Sequence, residues 1–105
     1  MRIDISVEAR SAMDLFLDEK EIAGGGKAVA NHFAAILEDE IRRLPMSVND
    51  KTNIRIDGEK DVRIVPCTGG YFACYIDGRF IHVMLFIRDT KLPQIFELFE
   101  PRGRA

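Results

Sequence analysis

Four side chains near the C-terminal half of the chain could do chemistry together: Tyr71, Tyr75, His82 and Arg88. They fall on two strand-like runs, Tyr71–Ile76 and Arg79–Ile87, separated by Asp77-Gly78. Asp-Gly between such runs is a strong hairpin signal, because a type I′ turn needs positive φ at both central residues. A turn at 77–78 pairs Ile76 with Arg79, Tyr75 with Phe80, Cys74 with Ile81, Ala73 with His82 and Phe72 with Val83. One face of the ribbon then carries Phe72, Cys74, Ile81, Val83 and Leu85 and is wholly apolar. The other carries Tyr71, Ala73, Tyr75, Phe80, His82, Met84, Phe86 and Arg88. Phenols, an imidazole and a guanidinium among apolar bodies suit a binding surface on a sheet covered on one side only.

Other reactive types are less suggestive. Cys67 and Cys74 form no CxxC pair, and His32 and His82 are remote from them in sequence, so neither a metal nor another cofactor is expected. Gly24-Gly25-Gly26-Lys27 lacks the preceding strand and the following Ser/Thr of a phosphate loop, and reads as a turn between helices. His32 points away from the apolar stripe of its helix. Glu40 falls within that stripe, where a lone carboxylate is costly. It must snorkel, or pair with Arg43 or a strand residue; a perturbed catalytic carboxylate is the sharper reading.

The elements that position these groups follow from periodicity. Arg2–Ser6 alternates as a short strand, and Ser6 suits a helix N-cap. Ala9, Ala12, Met13 and Phe16 mark an amphipathic helix over 7–21. A second helix spans 27–44, with Val29, Phe33, Ile36, Leu37, Ile41 and Leu44 buried and Pro45 closing it. Residues 46–51 read as polar loop. Strand signals follow at 52–57 and 62–66. Thr90 can cap a last helix with Leu92, Ile95, Phe96 and Phe99 on one face, before a basic tail holding Arg102 and Arg104.

With 105 residues and no internal repeat, the expectation is one α+β domain over 1–105. A short N-terminal strand leads to two antiparallel helices packed on one face of an antiparallel sheet of three further strands, then a short C-terminal helix. The formal charge is −2; residues 1–50 hold six Lys/Arg against ten Asp/Glu (−4), residues 51–105 nine against seven (+2). A nucleic-acid footprint must therefore lie in the second half. No apolar run reaches the roughly 18 residues needed to span a membrane, and Asp4 and Glu8 near the start do not suit a signal peptide. A cytoplasmic protein without membrane contact is expected.

This order of elements resembles the RelE/ParE superfamily of toxin–antitoxin toxins. The likeness rests on Ala28-Val29-Ala30-Asn31-His32-Phe33 through Ile41-Arg42-Arg43-Leu44-Pro45, similar to the family's second helix. It rests also on Gly70-Tyr71-Phe72-Ala73-Cys74-Tyr75-Ile76-Asp77-Gly78, then Ile81–Ile87 and Arg88-Asp89, similar to its Gly-Tyr strand, hairpin and charged ending. The resemblance implies a cognate antitoxin that wraps the toxin. RelE-like members bind the ribosome and cut mRNA with Lys, Arg and Tyr side chains; ParE-like members inhibit DNA gyrase without cutting. RNA cleavage needs a base for the 2′-OH and cations for the phosphorane. His82 is the candidate base and Arg88 the candidate cation, with Lys91 close by. Tyr71, Tyr75, Arg88, Lys91, Arg102 and Arg104 are the candidate partner or nucleic-acid contacts. The family's strand arginine is replaced by Phe72, and Phe96 and Phe99 stand where a reactive tyrosine would be. The resemblance therefore implies a ParE-like binder ahead of a RelE-like endoribonuclease. A non-toxic interaction module, homodimeric through the mixed face or the last helix, is the remaining alternative.

Overall fold

The computed structural model describes residues 2–48, 54–57, 60–91 and 100–101. Strand β1 (Arg2–Ile5) leads into helix α1 (Val7–Lys20), a five-residue π turn (Glu21–Gly25), helix α2 (Gly26–Arg42) and a single turn α3 (Leu44–Ser47). Strands β2 (Ile54–Asp57), β3 (Lys60–Cys67), β4 (Gly70–Asp77) and β5 (Phe80–Arg88) follow, then a 3₁₀ turn (Asp89–Lys91) and a two-residue strand β6 (Glu100–Pro101). The α+β reading therefore holds, with helices on one face of a sheet ordered β1-β5-β4-β3-β2-β6. The β1–β5 pair is parallel and the others antiparallel, so the sheet is mixed. The expected helix over 92–99 lies outside the described residues.

Helix α1 starts where its cap dictates. Ser6 is extended, and its hydroxyl accepts from the Ala9 N–H at 3.0 Å. Glu8 in the first turn and Lys20 in the last complement the helix dipole. The chain leaves helical geometry at Gly24 (φ 110°), a conformation glycine adopts without a Cβ clash, so the glycines make the interhelical turn. Helix α2 ends one turn before Pro45. That proline does not stop helical structure but sits in the first turn of α3, where its missing N–H is harmless. The polar-loop reading of 46–51 is corrected for 46–48, where Ser47 closes α3 and Val48 is fully buried beside Leu44 in the core; residues 49–51 lie outside the described residues.

The hairpin forms, with a different turn and register. Gly78 has φ 59° and, among the described residues, no non-glycine residue has positive φ, so the loop is Gly78-Arg79 and Asp77 pairs with Phe80. A type II′ turn needs positive φ at its first central position alone, and glycine supplies it; type I′ would have forced Asp77 there too. Every partner near the turn moves by two, giving Tyr75–His82 and Cys74–Val83. A shift of two leaves the faces unchanged.

A bulge then changes the faces. Cys74 pairs with Val83 and Ala73 with Leu85, which leaves Met84 as the extra residue. Beyond it the alternation of β5 is reversed. Phe86 joins Phe72, Ile81 and Val83 under the helices, while Leu85 moves to the opposite face with Val62, Ile64, Ala73 and Ile87. Both placements reverse the sequence expectation. The bulge is tied to the helix cap: the Ser6 N–H donates to the Val83 carbonyl at 2.9 Å, and the Ser6 hydroxyl donates to the Met84 carbonyl. Ser6→Ala removes a cap and leaves that part-buried carbonyl unmatched, so about 1–2 kcal/mol of stability should be lost in urea unfolding. Ser11→Ala, exposed on α1, should stay within about 0.5 kcal/mol of wild type.

Candidate binding face

The face away from the helices divides into two parts. At one end Val62, Ile64, Ala73 and Ile87 are buried, with Tyr71, Met84 and Leu85 packed against them. That part of the mixed face is not open, and Tyr71 serves it as a half-buried packing group. At the other end three adjacent strands bring Asp4, His82 and Tyr75 into one row, since Asp4 and His82 pair across β1–β5 and His82 and Tyr75 across β5–β4. His82 Nδ1 lies 3.5 Å from Asp4 Oδ2. The imidazole stacks on Tyr75 with centroids 4.6 Å apart at 21°, and on Phe80 at 5.9 Å and 21°. His82 is 27% exposed and Asp4 60%. A carboxylate at Nδ1 favours the tautomer protonated there, which leaves Nε2 to accept a hydrogen bond or a proton. Sequence reasoning missed Asp4, because a parallel pairing across 78 positions leaves no local signal.

Arg88 lies elsewhere. The Met84 bulge places it on the helix side, where its guanidinium donates to Glu19 Oε2 and its Cζ sits 4.8 Å from the centroid of Phe16. Six residues of strand separate it from His82, about 20 Å of backbone, and the two side chains emerge on opposite faces. The candidate base and the candidate cation therefore do not converge. Lys91 closes the 3₁₀ turn after β5. Arg102 and Arg104 lie outside the described residues.

The remaining candidates take structural positions. Both carboxylate oxygens of Glu40 accept from the Thr68 N–H, at 3.1 and 2.9 Å, so Glu40 anchors the β3–β4 turn to α2. Arg43 pairs instead with Asp39 at 2.8 Å, one helical turn away. His32 is exposed and rests its ring edge-on against Phe33 at 5.9 Å. Between α1 and α2 a groove of about 180 Å³ is floored by Met13, Leu17, Leu37 and Ile41 and rimmed by Arg10 and Asp14; the two helix stripes were legible, but not the gap between them. Among the described residues no group of three or more His, Cys, Asp or Glu is placed to hold a metal, and no helix is long and apolar enough to cross a membrane.

Cys67 and Cys74 are unbridged. Burial pushes the Cys74 thiol up to about 12. Burial first, and then the charge of Glu40, raise Cys67 well above the ordinary thiol range. Neither thiol should react with iodoacetamide at about pH 8 in the native protein, and both should react after denaturation, because the thiolate is the nucleophile. What the neutral thiols contribute to stability is complete below the unfolded thiol value of about 8.5 and declines as pH rises above it.

Comparison with protein-family models finds no match, and neither does comparison with curated proteins. Among solved structures, a chain described as "Chromosomal ParDE TA system from P. aeruginosa" superposes with a TM-score of 0.66 at 16% sequence identity, over 84% of this chain and 95% of that one. The N-terminal strand, helical hairpin and sheet described above therefore make up a ParE/RelE-type toxin fold.

Proposed function

We propose that this chain is the toxin-like component of a type II toxin–antitoxin module. In this reading it binds a macromolecular target, with ParE-like inhibition of DNA gyrase favoured, and a cognate antitoxin neutralises it. The fold likeness supports the module. The placement of Arg88 supports binding over cleavage: its guanidinium is engaged by Glu19 and the Phe16 ring, on the side of the sheet opposite His82. Cutting RNA requires a base and phosphate-binding cations at one phosphate. Tyr75 at the open end of the sheet, with Tyr71 at its packed end, Arg88 at the end of the last long strand, and Lys91, Arg102 and Arg104 beyond it are the proposed contacts. The cytoplasm is the proposed compartment, where both target and antitoxin would be met.

The second reading is a RelE-like endoribonuclease acting on ribosome-bound mRNA, and the Asp4–His82 pairing is the observation that favours it. One experiment separates the two. The protein is expressed from a tightly repressed promoter, with and without its adjacent gene, and the purified protein is added to gyrase supercoiling and ribosome–mRNA assays. Growth arrest relieved by the neighbour, lost supercoiling and intact mRNA are expected. Cleaved mRNA that is spared by His82→Ala, with supercoiling unaffected, would replace binding by the nuclease reading. Normal growth would leave a non-toxic module, and a concentration-independent monomer in light scattering would remove its homodimeric version.

A further inference from the structure

The outward side of α1 carries an apolar line that no described residue covers. Val7, Leu15 and Ile22 are 78, 64 and 84% exposed. They succeed one another at eight and seven positions, about two turns each, so they share one face of the helix, extended into the π turn. That face is opposite Ala9, Met13 and Phe16, which α1 buries. Single exposed apolar residues are ordinary, whereas three on one helix face, with exposed Ser11 and Asp18 between them, make that face amphipathic.

The charges beside the line have one sign. Residues 7–25 hold Glu8, Asp14, Asp18, Glu19 and Glu21 against Arg10 and Lys20, five against two, a net −3. Lys20 turns inward, its Nζ 5.3 Å from the ring centroids of both Phe16 and Phe33. Arg10 lies at the rim of the interhelical groove. Glu19 is held by Arg88. Asp14 shares the groove rim with Arg10, and Glu8 and Asp18 remain exposed along the apolar line.

We propose that this face of α1 docks a basic amphipathic helix of another protein. Anchors two turns apart match the spacing by which one helix grips another, and carboxylates flanking an apolar line complement Lys or Arg flanking the partner's line. A second copy of this chain fits poorly, because the same face would set carboxylate against carboxylate, and like charges across an interface disfavour association. An acidic segment is disfavoured for the same reason. The proposal stands apart from the toxin reading.

The test uses the full chain and two labelled synthetic peptides of about 18 residues, long enough to become helical on docking. One repeats Leu-Lys-Lys-Leu and the other Leu-Glu-Glu-Leu. By fluorescence anisotropy the lysine peptide should bind at least about tenfold tighter than the glutamate peptide, and more weakly as salt is raised. The double variant Leu15→Gln/Ile22→Gln changes no charge and no buried residue. It should keep the wild-type unfolding midpoint and bind the lysine peptide about tenfold more weakly or worse. Equal affinity in the double variant would reduce the effect to bulk charge and overturn the proposal, as would preference for the glutamate peptide. Dimerisation in light scattering that the double variant abolishes would assign the face to a second copy instead. Growth arrest is not read here, so neither outcome depends on the toxin reading.

Discussion

Phe16→Ala should remove about 3–5 kcal/mol of stability, a large part of the roughly 5–15 kcal/mol that holds a domain of this size together. Phe16 is 2% exposed and is the ring around which the helix-side core is arranged. It meets Phe33 edge-on at 5.8 Å and Phe86 at 5.7 Å, which joins α1 to both α2 and β5. Its other side lies against the β3–β4 turn, where a Cβ on Gly69 would fall 2.4 Å from the ring. Lys20 and Arg88 stand over its faces. Truncation therefore leaves a cavity bounded by two helices and a strand, which cannot all close on it together. Urea unfolding followed by far-UV circular dichroism reads the loss. Val7→Ala, at a side chain 78% exposed, should stay within about 0.5 kcal/mol. A Phe16→Ala protein less than about 1 kcal/mol weaker than wild type would mean that the core is not built on this ring.

Loss of that ring should also be felt at Arg88, whose guanidinium is packed between Phe16 and Glu19. The functional reading depends on this placement, and the Met84 bulge determines it. Without the extra residue, Arg88 would share a face with His82 and Tyr75. One residue in β5 thus decides whether a cation and a candidate base can act on the same ligand. The Ser6 hydroxyl, by accepting from Ala9 and donating to Met84, ties that decision to the first turn of α1.

Much of the architecture was legible because local rules agree with it. The stripe Ala9, Met13, Phe16 has helical spacing, Ser6 has the chemistry of a cap, and Gly24 to Gly26 interrupt two helical patterns. The hairpin was legible from Asp77-Gly78, while its register was not, since one glycine serves either of two mirror-image turns. The bulge was illegible for a different reason. Val83 to Ile87 is an unbroken apolar run, so either phase puts apolar side chains on both faces, and alternation carries no information there. What selects the phase is a hydroxyl 78 positions away. Glu40 was recognised as misplaced on an apolar arc, but its partner is a backbone N–H, which every residue but proline carries and no side-chain pattern reveals. The Asp4–His82 pair required knowing that β1 lies parallel to β5, again a non-local fact.

Two glycines in the β3–β5 region should lose stability on substitution by alanine for different reasons and to different degrees. Gly70 opens β4 and pairs with Cys67 on one side and Arg88 on the other. Its φ lies outside the left-handed region, so its glycine is required by space alone. An added Cβ would fall 1.9 Å from the Ile87 carbonyl oxygen and 2.9 Å from Arg88 Cα. Both are backbone atoms, so no rotamer change relieves the contact, and β4 must part from β5 at this end. Gly70→Ala should therefore cost about 3 kcal/mol. Gly78 is the converse, with φ 59° and nothing within 4 Å of its missing Cβ. Gly78→Ala meets only the cost of a side chain at the positive-φ position of a type II′ turn, about 2 kcal/mol. Because Arg88 is the residue opposite Gly70, parting the strands also withdraws its guanidinium from Glu19. Hydrogen exchange should accordingly rise at β5 residues 86–88 in Gly70→Ala and stay at the wild-type level there in Gly78→Ala. Equal losses at the two glycines, or a larger loss at Gly78, would show that β4 and β5 are not as closely apposed at Gly70 as this register requires.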